Sequence, residues 1–156
     1  MPSEDKLYTI GSQIVALLAG INGGSDYHTD LSATGKVQFS EPDLSGMTPP
    51  RAYVFFGSET GREGDALVDV SHQATFQIVA FAAYTTDTPG GRQLAVTRLI
   101  RDIRKALEAD PGLVSSADRS WISEVRDLAG DEPSLMEFAS VLVELTVVYE
   151  RRRGVV

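Results

Sequence analysis

The chain has no cysteine in 156 residues. Disulfides and thiolate chemistry are therefore excluded, and thiols say nothing about compartment. Histidine is scarce, with two in all, His28 and His72, so an imidazole base has only two possible sources. No Gly-x-Ser-x-Gly elbow is present for a serine nucleophile. No apolar run approaches the length of a membrane span, and the start shows no charged region leading into an apolar run, so no signal peptide is expected. Basic residues are the minority, 14 Lys and Arg against 22 Asp and Glu, a net charge of −8. A protein that grips nucleic acid by its phosphates needs a basic surface for counterion release, and this balance argues against one. A surface that nucleic acid passes without sticking remains compatible with it.

What is present suffices for a core. Apolar residues make up 42% of the chain, and residues 1–156 read as one domain able to bury a core without staples. The organising stretch is a strand over 70–84, a loop over 85–91 and a helix over 92–109. In the strand, Ala74, Phe76, Ile78, Ala80 and Ala82 share one side, and Thr75, Gln77, Val79 and Phe81 share the other. That is the period of two expected of a half-buried strand. In the helix, Val96, Leu99, Ile100, Ile103, Ala106 and Leu107 form a stripe. Arg98, Arg101, Asp102, Lys105 and Glu108 are expected mostly on the opposite, solvated side. Thr88 and Pro89 suit an N-cap and first position, and Asp110-Pro111-Gly112 ends the helix.

A first amphipathic helix is predicted over 3–21 from Leu7, Ile10, Ile14, Leu17, Leu18 and Ile21, capped by Ser3 and closed by a left-handed turn at 22–25. Its far side, with Tyr8, Ser12 and Gln13, is mild enough to touch a neighbour. Further strands are predicted at 36–40, 51–57, 121–128 and 135–151. The strand at 51–57 is apolar on both faces and is placed centrally. It pairs with the next strand as a long hairpin across a glycine-rich connection at 58–65. Residues 40–50, with three prolines, read as a long loop, and 151–156 as a basic tail. The expected fold is α+β: a mixed, mainly antiparallel sheet of four to five strands with two main helices packed on it.

The candidate sites are few. Asp26, His28 and Asp30 alternate, so an extended chain would aim all three one way, toward a divalent metal. A solvated polar loop is the preferred reading. His72 reads as a partly exposed strand residue. Gly57, Gly61 and Gly64 match no phosphate-cradle spacing and lack the lysine of a P-loop. Pro89-Gly90-Gly91-Arg92 could receive an anion as any helix start can. The acids Glu41, Asp43, Glu59, Glu63, Asp65 and Asp69 read as a solvated face rather than as acid–base pairs. No catalytic, metal or cofactor residue is assigned, and no enzyme activity is expected.

The order of elements, with a strand ending in Phe55-Phe56-Gly57-Ser58-Glu59 and the run from Arg101-Asp102-Ile103 to Asp110-Pro111-Gly112-Leu113, resembles a known family. So does the last strand, which closes on Thr146-Val147-Val148-Tyr149 and Arg151–Arg153. The chain resembles the tail terminator, or tail-completion and head–tail joining, proteins of long-tailed bacteriophages. That resemblance implies a structural virion protein in a ring, usually of six subunits, on the head-proximal end of the tail tube, assembled in the host cytoplasm. The implied partners are further copies of itself, the tail tube protein and the head connector. DNA would pass through the lumen unbound, and no membrane or cofactor is involved. The loops at 40–50 and 58–69, with Glu41, Asp43, Glu59, Arg62, Glu63 and Asp65, are the expected partner contacts, since loops on a rigid sheet usually carry them. The alternatives are another connector or completion protein, a tube subunit, or a host α+β binding domain.

Overall fold

A computed structural model describes residues 6–24, 26–62, 69–113, 116–130 and 132–152. The elements run α1 (Lys6–Ala19), β1 (Val37–Phe39), β2 (Arg51–Arg62), β3 (Asp69–Ala82), α2 (Gly91–Glu108), β4 (Arg119–Asp127), two short 3₁₀ turns (Leu128–Gly130 and Pro133–Glu137) and β5 (Ala139–Arg152). The five strands form one sheet in the order β1-β2-β3-β5-β4. β1 pairs parallel to β2, and the other pairs are antiparallel. This is the expected α+β architecture.

Alternation in the two long strands decides which face is covered. Ala74, Phe76, Ile78 and Ala80 of β3 and Ala139, Val141, Val143, Leu145 and Val147 of β5 are all essentially inaccessible. They join the buried stripes of α1 (Ile10, Ile14, Leu18) and α2 (Val96, Leu99, Ile103) in one core. Full burial of each such side chain contributes about 1.5–3 kcal/mol. The opposite face has its own smaller cluster at one end, Tyr53, Val79, Phe81, Leu135 and Leu142. Met47 from the 40–50 loop and Phe138 after the second 3₁₀ turn pack onto it.

Several expectations need correction. β2 does not stop at Gly57. It passes through a bulge between Phe56 and Ser58 and continues to Arg62, so residues 58–62 of the expected connection are strand. Gly57 is needed there, because a Cβ would lie 2.6 Å from Thr75 Oγ1 and 3.1 Å from the Thr75 carbonyl. β2 lies between β1 and β3, as an inner strand, although β1 covers only Ala52–Val54 on its outer side. α2 starts at Gly91 after a left-handed Gly90 (φ 76°), with no side-chain cap. The Thr88–Pro89 start is thus two residues early. Residues 133–137 form a 3₁₀ turn, and the last strand begins at Ala139. Ser3, Glu63, Asp65 and the end of the basic tail lie outside the described residues.

α1 meets the sheet edge closely. A Cβ on Gly11 would fall 2.2 Å from Cζ of Phe39, so glycine lets that ring lie against the helix. Phe39 in turn packs between Tyr8 and Phe76, with ring centroids 5.6 and 6.4 Å away.

Candidate functional site

Four polar constellations stand out, and α2 supplies two of them. The first holds the 26–30 loop. Asp102 is completely buried, and its carboxylate accepts the backbone N–H of His28 (3.0 and 3.1 Å) and of Thr29 (2.8 Å). This contradicts its placement on the solvated side of the helix. Its spacing from Leu99 and Ala106 puts it on the buried stripe, a signal the sequence did contain. The loop is closed at its base by the Leu31 N–H donating to the Ile21 carbonyl at 2.6 Å.

The same geometry answers the metal reading. Asp26, His28 and Asp30 do not converge. The Asp26 carboxylate lies 3.3 Å from Nζ of Lys105, which also sits 5.3 Å over the Tyr27 ring. His28 Nε2 lies 3.2 Å from an Arg101 nitrogen. Asp30 accepts from Ser32, whose hydroxyl and N–H hold its carboxyl below the usual range. Each group faces its own donor. Among the described residues no three His, Cys, Asp or Glu side chains gather as ligands.

The second constellation locks the start of α2. The Arg92 guanidinium makes a bidentate pair with Asp127 at 2.6 and 2.9 Å and also donates to the Phe138 carbonyl (2.9 Å) and to Ser140 Oγ (3.3 Å). The hydrogen bonds from Arg92 hold the Asp127 carboxyl below its ordinary range against the opposing effect of burial. Those to Asp127 push the guanidinium further up. Arg92 is therefore turned inward and is not available to an anion at Pro89-Gly90-Gly91. Like Asp102, it was legible as a stripe position, four residues before Val96.

The third constellation is around His72, which is buried rather than partly exposed. Its Nδ1 lies 3.0 Å from Glu59 Oε1, its ring stacks on Tyr149 at 5.4 Å and 20°, and the Tyr149 hydroxyl donates to the same Glu59 oxygen. The bulge at Gly57 causes this. It shifts the alternation of β2 by one, so Glu59 and Gly61 face the side of Ala74 and His72. Glu59 is thus a tie across three strands at the base of the hairpin.

The fourth lies on the other face. Glu144 of β5 accepts from Gln77 Nε2 (3.0 Å) and Ser123 Oγ (2.8 Å), and Thr146 donates to Ser123 at 2.8 Å. This part of the sheet face carries hydroxyls, an amide and a carboxylate, beside Phe55 and Trp121, which share it by register.

Among the described side chains, the expected interface residues Glu41, Asp43 and Glu59 are not brought together. Glu41 and Asp43 are exposed in the loop over the outer face, where the Asp43 carbonyl accepts from the Tyr53 hydroxyl at 2.9 Å. Glu59 is six residues further along β2, roughly 20 Å at about 3.3 Å per residue, and on the opposite face. A cleft of about 390 Å³ opens between the end of β3 and the start of α2, with His28, Tyr84, Thr85, Leu94 and Arg98 in its walls. Its lining has one imidazole, one guanidinium and no carboxylate, a set that fits neither an acid–base pair nor an oxygen-ligand metal site.

Comparison with known proteins adds a structural likeness. No protein-family model matches the chain, and no curated protein matches it. Among solved structures, the chain is similar to the sheath/tube terminator of an extracellular contractile injection system, PVC, in its extended state. The TM-score is 0.52 at 13% identity, over 96% of this chain and 58% of that one. The chain thus spans a little over half of the terminator it resembles, and what the two share is a tail-terminator-like fold.

Proposed function

We propose that this chain is a terminator subunit that closes into a ring, about six copies, on the head-proximal end of a phage tail tube. The ring stops tube polymerisation and presents the surface that joins the head. The observation that carries this reading is the fold shared with a sheath/tube terminator across 96% of the chain. A second reading, favoured by the neighbour itself, puts the same capping role in a contractile injection system, with no head to join.

Physically, a terminator must match the last ring of tube protein on one face and refuse another copy on the other. The partner contacts belong to the 40–50 loop with Glu41 and Asp43 and to the 58–69 segment with Glu59, Arg62, Glu63 and Asp65. The sheet half around Glu144 suits a lumen wall, where carboxylates repel phosphate and leave DNA free to slide.

Mass in solution across a wide concentration range, with images of the same sample, tests the reading. Closed rings of about six subunits, alone or after mixing with tube protein, are expected. A chain that stays monomeric in both conditions overturns it.

A further inference from the structure

The surface of α2 departs from the charge of the rest of the molecule. Four of the 14 basic residues, Arg98, Arg101, Arg104 and Lys105, fall in eight consecutive positions, and all four are exposed. Leu94, Arg98, Arg101 and Lys105 follow one another at spacings of four, three and four, a single line down the helix. Leu94 heads that line and is 50% exposed. Arg98 and Arg104 make no hydrogen bond or ion pair to the described residues, whereas Lys105 has Asp26 and Arg101 has His28. Beside the line lies the cleft walled by Leu94 and Arg98, which contains no carboxylate.

The other side of the sheet has the complementary pattern. The 40–50 loop and the 132–138 segment both pack on the cluster around Tyr53 and Phe81. They expose Glu41, Asp43, Glu132 and Glu137 and contain no lysine or arginine. Each offers one exposed apolar side chain, Leu44 at 45% and Met136 at 51%. The protomer is therefore bipolar: a basic line headed by an apolar residue on its helix side, acids flanking two apolar residues on its loop side.

We infer that the helix face of one protomer docks on the acidic loop face of a second copy of this chain. Leu94 meets Leu44 and Met136, and Arg98 and Arg104 meet Glu41, Asp43 and their neighbours. The two faces lie on opposite sides of one sheet, so the contact is head-to-tail, the kind that closes into a ring when its rotation allows. Opposite charges set the register and suppress like-face pairing, which would oppose cations to cations. A second copy is favoured over nucleic acid because the acids that complete the contact are in this chain, whose net charge is −8.

This inference rests on the ring reading and is tested by mixing two charge-reversed proteins. One carries Arg98→Glu and Arg104→Glu, the other Glu41→Lys and Asp43→Lys. All four positions are exposed, and circular dichroism and melting of each variant should match the parent chain. Each variant alone should need at least about tenfold more protein to assemble. An equimolar mixture should recover assembly, because every contact in an alternating ring again joins opposite charges. Rings formed by the first variant at the parental concentration would overturn the helix-face contact and leave the ring reading intact. Failure of the mixture to recover would overturn the pairing of these two faces. A parent chain that never assembles, even on tube protein, overturns both. Duplex DNA bound by the parent chain and released by Arg98→Glu and Arg104→Glu, with self-assembly unchanged, would reassign the face to nucleic acid.

Discussion

At the scale of single residues, the structure depends on two charged groups turned inward. Asp102 satisfies three donor contacts from one loop, and an asparagine there would set an amide N–H₂ against backbone N–H groups. Asp102→Asn should destabilise the protein by about 1–3 kcal/mol and raise hydrogen exchange of the amides in 26–31 before that of the strands. Asp127 is the titrating half of its pair. Its folded carboxyl is held below the unfolded value, so its contribution is present above about pH 4 and lost as pH falls through the lower folded value. Asp127→Asn should therefore cost about 1–3 kcal/mol at pH 7, a figure kept low because the aspartate side chain is 30% exposed. Urea unfolding of the parent and the variant should converge as the pH is lowered below 4. A difference that stays constant would mean the pair is not what stabilises the start of α2. Asp102 carries a helical-spacing signal, yet charge outweighs spacing in its assignment to the solvated side, and Arg92, four residues before Val96, reads only as part of a helix start. What the sequence could not show is the partner: Asp127 is 35 residues from Arg92, and the 26–30 loop more than 70 from Asp102.

At the scale of elements, periodicity was informative where one face of an element is covered, and it failed at irregularities. The alternation of β3 and β5 and the stripes of α1 and α2 follow directly from the apolar positions, because burying them excludes other registers. The bulge in β2 was not legible. Glycine at 57 reads equally as a strand end, and only its fit against Thr75 shows that the strand continues past it. The same ambiguity moved the start of α2. Gly91 is held against the chain that leaves β3, since a Cβ there would come within 2.2 Å of the Thr85 carbonyl oxygen. Backbone must shift to admit it, so Gly91→Ala should cost about 1–3 kcal/mol. Gly130→Ala, where nothing lies within 4 Å of the added Cβ, should shift stability by no more than about 0.5 kcal/mol. Thermal melts of the two variants compare these environments directly, and equal melting temperatures would contradict the packing at the β3–α2 junction.

At the scale of the whole molecule, what matters is that the two sides of the sheet differ. The helix side has a basic line over the main core; the loop side has acids over a minor one. The α+β class and the resemblance to terminators were accessible from the order of elements. The bipolar surface was not, because it arises only when residues 41–44, 94–105 and 132–138 are placed around one sheet. Of the expected contact residues, Glu41 and Asp43 lie on an exposed loop, and Glu59, also exposed, bonds both His72 and Tyr149. The central claim is that this protein ends a tube. The most direct measurement is the growth of tube protein in its presence, with tube lengths and ends imaged over time. The account predicts that growth halts at substoichiometric protein, with one ring on one end of each tube. Tubes that reach the same lengths with and without it, and carry nothing at either end, would contradict the account.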